Sequence, residues 1–456
     1  MKKVLLINPP SGLYRRDDRC QSRVEDQTVR IIFPPMDLAY LAAAAQAAGA
    51  QARIEDFPAS GKTWQDFKAI LQDYAPDILV ISVTSATASE DLKAASAAKE
   101  ICPSCLTLAK GEYVVYFSDK ILRDFPDLDA LLTGDIEAAL SRVINGEWAA
   151  GGGQLIHGEP SSAFERLFPA RDLLDNRLYR SPETGNPLTV IQANRGCSAH
   201  CIFCPAGTLS GYKLQLRAPA HVVAEANECV ERFGIREFLF NGDTFTMNKA
   251  WVLELCRRIR EAHLDIRWGC NSRVDTFDRE RAEALKGAGC WVVAFGVESG
   301  SQDMLDKMKK KTTLEQARRA VGCARAAGLC THAFFIIGLP WETRETLQET
   351  LIFARELDTD FFDFNIAYPL PGTEYYEIAI RDGLINPDAS GSYAQAAART
   401  YTLSGEELTQ WRRRALLSLY LRPWFILRTI MRVIWKPRIF MNYIREGFAR
   451  LLYLTR

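Results

Sequence analysis

Three cysteines crowd into eight residues, Cys197, Cys201 and Cys204, within Arg195-Gly196-Cys197-Ser198-Ala199-His200-Cys201-Ile202-Phe203-Cys204-Pro205. Three thiolates at this spacing can hold three irons of a cubane cluster and leave the fourth open to a ligand from outside the protein. A cluster that only carries electrons usually has four cysteine ligands. An open iron invites chemistry. Zinc is the alternative, with His200 or a distant cysteine as fourth ligand. His200 lies between two of the cysteines, poorly placed to close the same tetrahedron without strain. Disulfides are disfavoured: no apolar run preceded by basic residues opens the chain, so the expected compartment is the reducing cytoplasm.

The elements that must position these cysteines repeat. Between Leu188 and Pro371, apolar strand patterns at Thr189–Ala193, Glu237–Asn241, Arg267–Asn271, Trp291–Val297, His332–Ile337 and Phe361–Ala367 alternate with helical ones at Ala220–Phe233, Lys249–Ala262, Arg279–Ala288, Leu314–Ala327 and Arg344–Leu357. Six such units predict a partial (β/α)6 barrel, whose active site belongs at the strand C-terminal ends. The residues able to do chemistry fall there. The cysteine loop follows the first strand, Gly242-Asp243-Thr244 the second and Arg273 the third; Glu298 follows the fourth, and Gly338-Leu339-Pro340-Trp341-Glu342-Thr343 the fifth. A guanidinium at 273 could grip a carboxylate by paired hydrogen bonds. Thr343 is expected to cap the helix after it. Of Lys309, Lys310 and Lys311, the last is the best candidate for an inward role.

Residues 1–148 read as a doubly wound parallel sheet. Strand patterns at Val4–Asn8, Ala52–Asp56, Ile78–Val83, Leu106–Lys110 and Ala130–Thr133 alternate with amphipathic helices. Ligands of such sheets sit at the strand C-terminal ends. Asn8, Thr84, Ser85, Gly111, Gly134 and Glu137 lie there. Residues 149–187, with Gly151-Gly152-Gly153, read as a linker, 188–380 as the barrel and 381–456 as a helical, basic extension.

The cysteine motif resembles that of the radical S-adenosylmethionine (SAM) enzymes. Several features resemble the branch whose barrel follows a cobalamin-binding domain: Asn8-Pro9-Pro10, Pro34-Pro35 before Leu38-Ala39-Tyr40-Leu41-Ala42, Gly134-Asp135-Ile136-Glu137, and the Gly338–Thr343 and Tyr368–Thr373 turns. The resemblance covers roughly residues 1–380. It implies a 4Fe-4S cluster on Cys197, Cys201 and Cys204, with SAM near Phe203, Asp243, Arg273 and Glu298. Phe203 would pack by the adenine; Glu298 would meet ribose hydroxyls or the ammonium. It also implies cobalamin near Asn8, Thr84, Ser85, Gly111, Gly134 and Glu137. Two departures stand out. Gly242 replaces the first of the branch's two Asp residues, leaving Asp243, and Ala109-Lys110-Gly111-Glu112 replaces a Gly-Gly-Pro-His type loop. Asp56-Phe57-Pro58 offers cobalt no histidine.

The resemblance implies that reductive cleavage of SAM gives a 5′-deoxyadenosyl radical, and that methylcobalamin donates a methyl group to a carbon radical of the substrate. The expected activity is C-methylation of an unactivated carbon in a small or lipid-like substrate, with a reducing donor such as flavodoxin or ferredoxin. Ring closure or C–C bond formation without methyl transfer is the second enzymatic reading. A corrinoid-binding regulatory protein with a structural metal is the non-enzymatic one.

Charge is segregated along the chain. From Trp411 to Arg456, eleven Lys and Arg face one acid, Glu446, a net +10; the whole chain balances to zero, so the remainder carries −10. Large apolar residues interleave with these arginines, but no run reaches the ~20 residues of a spanning helix. Pro423 and Pro437 divide the segment into short amphipathic helices. The expected partner is the inner face of an anionic membrane, touched peripherally through 411–456. Packing on the barrel competes with that reading, and nucleic acid is the least favoured partner.

Overall fold

Apolar runs such as Val4–Ile7 and Ile78–Ile81 leave no face for water, so they settle as inner strands with helices on both sides. The computed structural model describes residues 1–16, 23–27, 29–148, 154–159, 161, 163–385 and 394–455. The chain divides into two compact units, one of residues 1–24 and 32–178, the other of 25–31 and 179–456. In the first, β1 (Lys3–Asn8), β2 (Gln51–Asp56), β3 (Ile78–Ser82), β4 (Leu106–Lys110), β5 (Ala130–Gly134) and β6 (Gln154–Gly158) form one sheet. It is all parallel, in the order β2-β1-β3-β4-β5-β6. The order reverses at β1, so the ends of β1 and β3 flank a topological switch point, where ligands of such sheets bind.

The segment expected to be a linker is more than that. Gln154–Gly158 adds a sixth strand, and the first unit runs on through Leu178. Only Ile156 and Gly158 of this strand are buried. An edge strand of this kind has no continuous apolar run to betray it. Gly151, Gly152 and Gly153 lie outside the described residues.

The second unit holds β7 (Leu188–Gln192), a short antiparallel ribbon of β8 (Asn194–Arg195) and β9 (Gln215–Leu216), then β10 (Glu237–Asn241), β11 (Arg267–Arg273), β12 (Cys290–Glu298), β13 (Cys330–Ile337) and β14 (Phe361–Ile366). β7 and β10 to β14 pair in parallel in chain order, the arrangement of the expected six-stranded partial barrel. Alternation sets its two faces. In β13, Thr331, Ala333, Phe335 and Ile337 are buried, whereas His332, Phe334 and Ile336 turn to the interior. The helix Arg344–Leu357 starts as expected, Thr343 Oγ1 accepting from the Thr346 N–H at 3.3 Å.

Three tail helices follow, Gly405–Tyr420, Pro423–Val433 and Pro437–Thr455. The first closes the open edge of the barrel. The Tyr420 hydroxyl accepts from the Phe362 N–H and donates to the Phe362 carbonyl, each at 2.8 Å. Arg412 Nε donates to the Phe364 carbonyl at 2.6 Å. An exposed sheet edge is thereby satisfied. Among the described residues, no helix is long and apolar enough to cross a membrane.

Candidate active site

The cysteine loop hangs between β8 and β9 and is pinned along its length. Gly196 has φ +87°, and a Cβ there would meet the Lys213 carbonyl oxygen at 2.2 Å. The Cys197 N–H donates to the Gly211 carbonyl at 3.1 Å. Ile202 is held on both sides, its N–H on the Met308 carbonyl at 3.1 Å and its carbonyl by the Tyr375 N–H at 2.9 Å. Its side chain joins a buried cluster with Met304, Leu305, Met308, Leu339 and Tyr375, and Phe203 packs partly against the same cluster. The three thiols are therefore presented by a loop with little freedom, which is what a cluster ligand set needs.

Asp243 serves this loop. Its Oδ2 accepts from the Gly196 N–H at 2.5 Å, while Thr244 Oγ1 lies 3.3 Å from Cys197 Sγ. The missing Asp at 242 has a steric explanation. A Cβ on Gly242 would sit 2.5 Å from Asn194 Oδ1, so only glycine lets the buried Asn194 side chain pass.

Charge gathers at Cys201. Arg273, at the end of β11, reaches Cys201 Sγ with Nη1 at 3.9 Å. The paired grip expected of it is already made, to Asp275: Nε and Nη2 donate to Oδ1 and Oδ2, each at 2.9 Å. Nη2 also donates to the Lys310 carbonyl at 2.8 Å. Arg273 thus stands as a fixed positive charge beside the cysteine, with its bidentate edge occupied. Beneath it, Thr246 Oγ1 bonds Ser272 Oγ at 2.6 Å and Thr276 Oγ1 at 2.7 Å, bracing the strand end.

The inward lysine is Lys310, not Lys311. Lys310 is buried and donates to Glu298 Oε1 at 2.6 Å, whereas Lys311 is exposed. Lys309 and Lys311 both have φ +55°, and this double reversal turns only the middle side chain inward. Glu298 itself sits at φ +70°, at a register shift at the end of β12. A Cβ on Gly296 would meet Glu298 Oε1 at 2.5 Å, so glycine makes room for the pair. Burial opposes the charge on Lys310, but Glu298 and the nearby Cys201 raise its pKa above the ordinary value. Burial also pushes the Cys201 thiol up, with Lys310 and Arg273 pulling against it.

These residues fit an iron–sulfur cluster better than zinc. His200 is exposed and stacks on Tyr212, ring centroids 4.4 Å apart, turned to an aromatic partner. A cubane takes each of the three thiolates on a separate iron, so the three cysteines of this loop suffice without a fourth protein ligand.

In the first unit, Asn8, Thr84 and Ser85 gather at the switch point, but their polar groups meet the chain's own carboxylates. Asn8 Nδ2 donates to Asp56 Oδ1 at 3.2 Å, while its buried Oδ1 has no partner among the described residues. The Thr84 N–H donates to Asp91 at 3.2 Å, and Ser85 donates to Glu112 through its N–H at 2.9 Å and Oγ at 2.6 Å. Asp91, fully buried, is held by Arg16 at 2.9 Å and by Thr87 Oγ1 at 2.7 Å; sequence reasoning missed both acids. Gly111 has a reason within the chain, since a Cβ there would meet the Val83 carbonyl oxygen at 2.0 Å. Gly134, at φ +70°, would likewise meet the Gly158 carbonyl of β6 at 2.5 Å. Glu137 is buried in the first turn of the helix Ile136–Ile144.

A three-thiol loop held at the mouth of a six-stranded partial barrel is the framework of an enzyme built around an open cluster. A family model for the radical SAM superfamily matches residues 191–354, which include the three cysteines, Arg273, Glu298 and Lys310. An uncharacterized methyltransferase of Pyrococcus horikoshii is 30% identical over 446 residues, 94% of this chain and 94% of that one. This chain belongs to the radical SAM enzymes, with a doubly wound parallel-sheet unit before the barrel in the chain. Two solved structures share the fold. One is TsrM, a radical S-adenosylmethionine methyltransferase from Kitasatospora setae solved with cobalamin and a 4Fe-4S cluster; its TM-score is 0.66 at 18% identity, over 91% of this chain and 85% of that one. The other is the cobalamin-dependent S-adenosylmethionine radical enzyme OxsB, with TM-score 0.71 at 14% identity, over 99% of this chain and 72% of that one.

Proposed function

We propose that this chain is a cobalamin-dependent methyltransferase that methylates an unactivated carbon of a small or lipid-like substrate. The observation that carries the reading is the pinned three-cysteine loop with Arg273, Lys310 and Glu298 gathered against it. The relative from Pyrococcus horikoshii, named a methyltransferase, supports the choice of reaction. When bound, the cluster supplies the electron that cleaves SAM, and the corrinoid supplies the methyl group.

The chain's own residues do the rest. Cys197, Cys201 and Cys204 take three irons. Arg273 and Lys310 place positive charge beside Cys201, which favours a bound anion such as the SAM carboxylate. Glu298 offers an acceptor for a hydroxyl or ammonium. Asn8 Oδ1, buried and unpartnered among the described residues, suits an amide donor such as the corrin side arms carry. Inside the barrel, Leu239, Ala294, Phe334 and Ile336 alternate with Asn241, Asn271, Asn365 and the His332–Asp363 pair, whose Nε2 and Oδ2 lie 2.9 Å apart. Such a mixed lining suits a substrate that carries polar groups as well as apolar surface.

The test is anaerobic incubation of cluster-rebuilt protein with SAM, cobalamin, a strong reductant and extracted lipids. The ratio of 5′-deoxyadenosine to S-adenosylhomocysteine is read by mass spectrometry. Comparable, substrate-dependent amounts of both are expected. Deoxyadenosine alone would replace methylation by ring closure or rearrangement; neither product would overturn the reading.

A further inference from the structure

The second tail helix, Pro423–Val433, is amphipathic the wrong way round. A surface helix normally buries its apolar stripe and leaves its charges in water. Here Phe425 and Val433 are the buried residues, and the arginines share their side. Arg428 donates to Asp358 at 2.5 Å, and Arg432 to Asp360 at 2.8 Å and to the Tyr443 hydroxyl at 3.0 Å. Arg422, just before the helix, also reaches Asp358, at 3.2 Å. The outward face carries Trp424 (62% exposed), Leu427 (48%), Met431 (52%) and Ile434 (48%), one helical stripe, with Trp435 beyond it at 89%. The third helix repeats the pattern with Met441, Ile444, Phe448 and Leu451, all exposed. Two successive helices thus each present a stripe of apolar side chains where water should be, a mark of an interaction surface.

We infer that the second and third tail helices lie flat on an anionic lipid surface, with these stripes in the headgroup–acyl boundary. Charge selects the occupant. Across these two helices the exposed ions are basic, Lys436, Arg438 and Arg445, and their single acid, Glu446, lies 3.3 Å from Arg445. A symmetric contact with a second copy would set those same cations face to face; anionic headgroups complement them. Trp424 and Trp435, bulky and exposed at the two ends of the helix, are of the type that settles at a membrane interface. The surface also has a defined position. Its arginines fasten it to Asp358 and Asp360, before β14, whereas the cysteines lie at the opposite, C-terminal ends of the strands. The contact is an anchor, and it does not by itself bring a lipid to the thiols.

Flotation of the full, cluster-rebuilt chain with vesicles tests this. Phosphatidylcholine vesicles are compared with phosphatidylcholine–phosphatidylglycerol vesicles. The parent is expected to float with the anionic vesicles and to bind neutral ones more weakly by at least about tenfold, since each basic residue near the surface is worth about 1 kcal/mol. A chain carrying Trp424→Glu, Leu427→Glu and Met431→Glu should lose flotation while keeping its melting temperature and circular dichroism. Trp435→Ser, at a site almost wholly in water, gives a gentler loss should the triple variant misfold. Equal flotation of parent and variants would overturn the inference. So would failure of the parent to float, including the case in which light scattering shows a dimer that the triple variant abolishes.

Discussion

Lys310 and Glu298 meet at 2.6 Å with both side chains nearly sealed from water. A buried ion pair is a poor source of net stability, but removing one partner strands the other charge in low dielectric and costs about 3–5 kcal/mol. Lys310→Met should therefore destabilise the cluster-free protein by about that amount in urea unfolding. Adding Glu298→Gln to the same chain should recover most of the loss. If Lys310→Met alone leaves the midpoint unchanged, the pair is not formed in solution. The residues of this pair differ in how far the sequence revealed them. Glu298 stands at the end of an apolar strand pattern, so its address was readable. Lys310 is the middle of three identical lysines, and it is selected by positive φ at Lys309 and Lys311, positions that carry no glycine to announce a turn. Arg273 was legible in place and not in partnership, because Asp275 two residues on takes the grip that a ligand was expected to receive.

At the scale of elements, the turn after β13 carries a carboxyl that its surroundings keep from ionising. Burial raises the pKa of Glu342 from 4.5 to about 7, although the Thr346 hydroxyl and the Gly338 N–H both donate to it. The folded state holds the proton more tightly than the unfolded chain does. The stabilisation is therefore complete below about pH 4.5 and lost as pH rises through about 7, a span worth ~3 kcal/mol. Glu342→Gln keeps the neutral shape and removes the loss. Its urea midpoint should exceed the parent's at pH 8, and the advantage should shrink or reverse at pH 5; a pH-independent difference would contradict the assignment. The strands around this turn were readable because aromatic and aliphatic residues dominate them, Phe334, Phe335, Ile336 and Ile337 in β13 and Phe361, Phe362, Phe364 and Ile366 in β14, and Thr343 because a threonine before a helix has one obvious use. Strand β6 was not, since its side chains are mostly wet, nor was the β8–β9 ribbon, whose strands are two residues each.

For the molecule as a whole, the basic tail is three helices with two different jobs. Of its eleven cations, Arg412, Arg422, Arg428, Arg432 and Arg450 are bonded to groups of the second unit, so the +10 read from the sequence overstates what solvent meets. The helix Gly405–Tyr420 buries Leu408, Leu416 and Leu419 and supplies the Tyr420 and Arg412 groups that satisfy β14. Each of those leucines is worth about 1.5–3 kcal/mol in water-to-core transfer. Deleting 405–456 would expose that apolar surface together with an unpaired strand edge, the combination that templates aggregation. Ending the chain after Leu421 keeps the edge cover and removes mainly the outward stripes, at the cost of Phe425 and the partners of Asp358 and Asp360. The shorter truncation should stay soluble and elute as a discrete species, with a lowered melting temperature, whereas the longer one should run in the void volume or fail to be recovered. Equal behaviour of the two in size-exclusion chromatography would mean that the first tail helix does not close the barrel and that its hydrogen bonds to β14 are dispensable.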